Sequence, residues 1–87
     1  MVRELLIMNK RGLHARAAAR FVKVAEQFDA KIEVIKDGET VSGESILGLM
    51  MLAASPGTTI SVHTDGPEAD AALEALSSLV ANRFDED

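Results

Sequence analysis

Three residues that could do chemistry together, Gly12, His14 and Arg16, stand where a polar loop gives way to an amphipathic helix. A neutral imidazole nitrogen is a competent nucleophile near neutral pH. The first turn of a helix leaves backbone N–H groups unpaired, and the helix dipole adds positive potential there. A helix beginning just after His14 therefore offers the amides of Ala15, Arg16 and Ala17 as a cradle for an anion attached to the ring. The same positive end favours the neutral form of the ring. Arg16 adds a permanent charge with several donors, suited to phosphoryl oxygens as charge accumulates during transfer. The chemistry this pattern allows is phosphoryl transfer, with His14 as acceptor and Arg16 in an electrostatic role. A histidine two residues from an arginine is by itself an ordinary surface pair, so the surrounding elements decide its meaning.

Val2 to Met8 is mostly apolar and β-compatible, and Asn9-Lys10-Arg11-Gly12 closes it as a loop. Ala18, Phe21, Val22, Ala25 and Phe28 then recur at helical spacing, opposite Arg16, Arg20, Lys23 and Glu26. Lys31 to Lys36 nearly alternates, Asp37-Gly38 is a two-residue hairpin signal, and Glu39-Thr40-Val41 is the return strand. Ser45 caps a short helix running from Ile46 to Leu52, ended by Ser55-Pro56-Gly57. Thr58 to Asp65 alternates, with Ile60 and Val62 on one face and Thr59, Ser61 and His63 on the other. After Asp65-Gly66-Pro67, a closing helix carries Ala69, Ala72, Leu73, Leu76, Leu79 and Val80 as its apolar stripe. The order is βαββαβα. Strands that bury one face and helices with one apolar stripe predict an α+β, two-layer open-faced sandwich: a four-stranded antiparallel sheet covered on one side by helices.

The 87 residues suffice for one domain, spanning 1–87. A composition 47% hydrophobic and 26% charged is that of an ordinary globular chain. With no cysteine there is neither a disulfide framework nor a thiolate metal site, which fits a reducing, cytoplasmic setting. No stretch approaches the roughly 20 apolar residues of a membrane span, so no membrane insertion is expected. A net charge of −5 with neither Trp nor Tyr argues against nucleic acid and for protein partners with basic patches. His63 reads as a surface histidine and Asp85-Glu86-Asp87 as a solvated charged end. No ligand-spaced His or carboxylate pair accompanies either histidine, so neither a metal nor a cofactor is expected.

The string Gly-Leu-His-Ala-Arg-Ala-Ala-Ala-Arg-Phe-Val, residues 12 to 22, resembles the active-site signature of the HPr family, the histidine-containing phosphocarriers of bacterial phosphotransferase systems. The element order, the length and the segment Ser45-Ile46-Leu47-Gly48-Leu49-Met50 are similar as well, so the resemblance covers essentially the whole chain. It implies that His14 is phosphorylated on Nδ1 by Enzyme I, using phosphoenolpyruvate, and that Arg16 assists. The phosphoryl group then passes to a downstream acceptor of the EIIA type, with the chain a stoichiometric carrier rather than an enzyme. Two positions depart from the pattern: the family usually has proline where this chain has Ala17, and commonly asparagine where it has Arg11. The Arg-rich signature without proline favours the nitrogen-related regulatory branch over sugar uptake.

The resemblance also implies that Ser45 is a target of an ATP-dependent HPr kinase/phosphorylase, although a serine is equally expected there as a simple N-cap. Ile46, Leu47, Met50 and Arg20 are the expected docking residues, with Leu49 and Leu52 packed inward. A monomer is expected from the carrier role. The competing function is a non-catalytic regulatory binding module controlled through Ser45, and the presence of both His14 and Arg16 argues against it. A small-molecule-binding module or an independent hydrolase has less support: no enclosed ligand pocket is evident, and no acid, base or second nucleophile is adjacent in sequence to His14.

Overall fold

A computed structural model describes residues 1–86. Its elements are β1 (Val2–Leu6), α1 (Ala15–Ala25), β2 (Lys31–Lys36), β3 (Glu39–Ser42), α2 (Ile46–Met51), β4 (Thr59–Asp65) and α3 (Ala69–Ala81), followed by a single turn at Arg83–Asp85. The four strands form one antiparallel sheet in the order β1-β4-β2-β3. The α+β open-faced sandwich expected from the βαββαβα order is the fold observed.

Strand alternation sets the two faces. Ile32 and Val34 of β2, Ile60 and Val62 of β4, and Leu5 of β1 are buried toward the helices. They meet Ala18, Phe21, Val22 and Ala25 of α1 and Ala72, Leu73, Leu76 and Val80 of α3 in one core. The opposite face carries Glu33, Ser61 and His63; Glu33 pairs with His63 across the ladder, and Ser61 Oγ lies 3.2 Å from His63 Nε2. Asp37 and Gly38 take positive φ values of 51° and 82°, the left-handed pair that a two-residue hairpin turn requires.

Boundaries differ from the sequence reading by one residue at the end of β3 (Ser42, not Val41), the end of α2 (Met51, not Leu52) and the start of β4 (Thr59, not Thr58), and by more at two places. β1 ends at Leu6 rather than Met8, because Ile7 leaves the ladder to exchange bonds with the loop before β4: its N–H donates to Thr58 O at 2.8 Å, and its carbonyl accepts from Gly57 N–H at 2.8 Å. α1 ends at Ala25, and Phe28 packs on the core from a tightened exit turn in which Phe28 N–H donates to Ala25 O at 3.3 Å. An apolar stripe locates a buried face, whereas the hydrogen-bond partners decide where the element stops.

Candidate phosphoryl-acceptor site

Because β1 and β4 are neighbours, the β1–α1 loop lies against the α2–β4 loop, and Leu13 N–H donates to Ala54 O at 2.9 Å. That closeness explains Gly12. Its φ is +67°, and a Cβ there would stand 2.5 Å from Ala54 O, so both conformation and space demand glycine. The turn delivers His14 to the N-cap of α1 with extended backbone (φ −81°, ψ −179°), and His14 O accepts the first intrahelical bond from Ala18 N–H at 2.8 Å.

Among the described residues no side chain caps α1, and no acidic residue stands in its first turn, so the N–H groups of Ala15, Arg16 and Ala17 keep their donor capacity toward them beside the histidine. Arg16 is exposed. It lines, with Lys10, Arg11 and Glu86, an open cleft of about 270 Å³. A second cleft of about 230 Å³, lined by Arg11, Leu13, His14 and Ala53 to Ser55, joins the histidine to the end of α2. The concentration of positive charge and free amides suits an arriving phosphoryl group.

The chain end overturns one expectation. Glu86 is not a solvated residue: its side chain is 9% exposed, and His14 Nε2 lies 2.8 Å from its Oε2 and 3.0 Å from its Oε1. Asp87, the other end of that predicted tail, lies outside the described residues. The ring therefore sits between the positive end of α1 and a carboxylate, not against the helix terminus alone. Asn9 is the other residue sequence reasoning missed. It is fully buried, and its Nδ2 donates to Gly12 O at 2.8 Å and to Glu86 Oε1 at 2.5 Å. Two acceptors at that end of the amide fix its orientation.

Burial raises the Glu86 carboxyl, but bonds from Asn9 and His14 and the charges of His14 and Arg20 outweigh it, and the net shift is downward. A carboxylate held below its unfolded value contributes stability above the ordinary carboxylate range and loses it as pH falls through the folded value. Acidification is thus expected to release the chain end from His14. Following the Glu86 carboxyl carbon by NMR should give a midpoint below that of an ordinary glutamate, with the His14 ring nitrogens moving in parallel; a midpoint at or above the ordinary value contradicts the contact.

Three successive non-glycine residues, Arg83, Phe84 and Asp85, hold left-handed φ values of 56°, 55° and 60° and turn the chain back to the site. Phe84 is fully buried in the core, and Arg20 Nη1 donates to Phe84 O. Arg20, expected at a docking surface, is thus engaged in holding the chain end while remaining partly exposed. Ser45 caps α2, its Oγ accepting from Gly48 N–H at 3.0 Å. Leu49 and Leu52 are buried, whereas Ile46, Leu47 and Met50 are exposed, Leu47 at 70%. Met51, absent from the expected set, is exposed beside them. Among the described residues, no three His, Cys, Asp or Glu side chains gather closely enough to hold a metal, and no helix is long and apolar enough to cross a membrane.

A small open-faced sandwich presenting a histidine at a helix start that no described side chain caps, with Arg11 and Arg16 nearby and a carboxylate against the ring, has the build of a phosphoryl carrier. The family described as "PTS HPr component phosphorylation site" matches residues 1–82. The phosphocarrier protein HPr of Pseudomonas aeruginosa is 51% identical over 84 residues, covering 95% of this chain and 93% of that one. The phosphocarrier protein NPr of Shewanella violacea is 45% identical over 84 residues, covering 97% and 92%. The crystal structure of HPr-C-His from Thermoanaerobacter tengcongensis superposes with a TM-score of 0.95 at 38% identity, covering 100% of this chain and 98% of that one. The chain belongs to the HPr family, the phosphocarriers of the phosphotransferase system. It is accordingly a carrier and not an enzyme.

Proposed function

We propose that His14 is the residue that carries the phosphoryl group, on Nδ1, taking it from Enzyme I charged by phosphoenolpyruvate and passing it to an acceptor of the EIIA type in the cytoplasm. The observation that carries this reading is the position of His14 at a helix start that no side chain of the described residues caps, beside the first-turn amides of Ala15, Arg16 and Ala17. Arg16, exposed at the mouth of the basic cleft, serves the phosphoryl oxygens during transfer. His14, Ala15, Arg16 and Ala17 follow one another in sequence, so one copy of one domain supplies the proposed site, and the carrier acts as a monomer in this reading. Incubation with phosphoenolpyruvate, Mg²⁺ and Enzyme I should add one acid-labile phosphoryl group to the intact mass; a folded protein that takes up none refutes the proposal.

The exposed face of α2 is the docking surface this function needs. Ile46, Leu47 and Met50 form an apolar patch whose helix ends near the second cleft at His14, and partly exposed Arg20 is the polar member of that set. Leu47→Glu is expected to weaken Enzyme I binding at least tenfold, as loss of an apolar anchor does, with the unfolding midpoint almost unchanged because the side chain is exposed. Titration calorimetry beside thermal unfolding checks both halves, and an unchanged affinity removes Leu47 from the interface.

The cap at Ser45 supports a second, regulatory reading. A phosphoryl group on its Oγ would bring roughly −1.5 to −2 charges to a helix start whose Gly48 N–H already bonds this oxygen, so α2 survives while its apolar docking face gains a negative neighbour. An HPr kinase/phosphorylase is the enzyme class that would act there.

A further inference from the structure

We infer that Glu86 is a positioning residue for His14: its carboxylate keeps the ring hydrogen on Nε2, leaves Nδ1 as the bare nucleophile and stabilises the positively charged ring formed when Nδ1 is phosphorylated. The inference rests on the proposed function and deepens it by assigning the group that prepares the acceptor nitrogen.

All hydrogen bonds of the ring to described residues fall on Nε2, and all of them go to one carboxylate, at 2.8 and 3.0 Å. An ionised carboxylate only accepts, so Nε2 must be the donor, and a neutral imidazole with hydrogen on Nε2 has its lone pair on Nδ1. The carboxylate is itself held by Asn9 Nδ2. Its side chain is 9% exposed, so water competes little for those oxygens. The backbone that brings it there is specialised: Phe84 in the core, Arg20 bonded to its carbonyl, and three left-handed residues. Nucleophile, histidine base and carboxylate recur in hydrolases as a set in which the acid fixes the tautomer and offsets the ring charge. Here the histidine is the nucleophile, and the carboxylate keeps the same two tasks.

The step balances without proton transfer. The Nδ1 lone pair attacks the phosphorus of a partner's phosphohistidine, and the P–N bond of the donor breaks with its electron pair returning to the donor ring. A new Nδ1–P bond forms on His14. Nε2 keeps its hydrogen throughout, so the positive ring charge lost by the donor appears on His14, directly against the Glu86 carboxylate. Passing the group on reverses this and restores the neutral tautomer.

Glu86→Gln tests the role, since an amide of the same shape both donates and accepts and no longer requires hydrogen on Nε2. Nitrogen-15 spectra of the His14 ring, recorded where the ring is neutral, should show hydrogen on Nε2 alone in the wild type and a mixture with the Nδ1–H form in Glu86→Gln and Glu86→Ala. Phosphoryl uptake from charged Enzyme I should slow by about tenfold in both, the scale seen when a histidine loses its orienting partner. A Gln variant with unchanged tautomer spectrum and unchanged rate overturns the assignment. A wild type that takes up no phosphoryl group overturns the function itself, and that result is read before either variant is compared.

Discussion

His14→Ala will abolish acid-labile phosphoryl uptake while leaving a folded protein. The substitution removes the acceptor nitrogen and leaves intact what surrounds it: the amides of α1, Arg16 and the cleft of Lys10, Arg11 and Glu86. His63 cannot substitute, because it lies on the open face of the sheet, beside Ser61 and away from the helices. The structural cost is limited. The variant leaves the Glu86 carboxylate without one of its two side-chain partners, a loss of about 1–3 kcal/mol, against a total stability for small domains of about 5–15 kcal/mol. Intact mass after incubation with phosphoenolpyruvate, Mg²⁺ and Enzyme I reads the result. A phosphoramidate is lost in acid and a serine phosphoester is not, so acid treatment also separates His14 from any addition at Ser45. An acid-labile group on the variant would move the carrier site elsewhere.

Phe84→Ala is the substitution expected to cost most stability. Truncating a fully buried phenylalanine commonly costs about 3–5 kcal/mol. The local balance shows why this residue is decisive. Three left-handed non-glycine residues carry strain of roughly 1–2 kcal/mol each. The bonds that oppose it, from Arg20 to Phe84 O and from Asn9 and His14 to Glu86, contribute about 1–3 kcal/mol apiece. Strain and bonds nearly offset each other, so the burial of the Phe84 ring, worth about 2–3 kcal/mol, is what holds the turn closed. Without it the chain end should detach and Glu86 should leave His14. Chemical denaturation should show a midpoint lowered by the equivalent of about 3 kcal/mol, and amide exchange at Asp85 and Glu86 should lose its protection. Unchanged exchange at those two amides would show that the bonds alone hold the turn.

The two variants separate the parts of the site. His14→Ala removes the acceptor and keeps the carboxylate in place, whereas Phe84→Ala keeps the acceptor and withdraws the carboxylate. Set beside Glu86→Gln, which changes only the hydrogen-bonding capacity of the contact, they distinguish loss of chemistry from loss of structure.

Much of the protein is written within short stretches of its sequence. Alternation in Lys31–Lys36 and from Thr58 to Asp65, the Asp37-Gly38 turn, the Ser45 cap and the stripes of α1 and α3 each depend on residues a few positions apart, and each element appears where its pattern placed it apart from shifts at its ends. His14 at a helix start belongs to the same class, because a loop glycine followed by a helical stripe is a local signal. The contacts around His14 do not. Glu86 lies 72 residues from His14 along the chain, and the turn that delivers it uses Arg83, Phe84 and Asp85, none of which announces a left-handed backbone as glycine would. Asn9 looked like a polar loop residue, and only the closing of the loop over it turned its amide inward. Local periodicity and capping determined the fold and the histidine's place, since backbone geometry repeats over a turn or a pleat. Which charge meets that histidine was decided by the tertiary structure, since it depends on how α3 packs and where the chain beyond it returns.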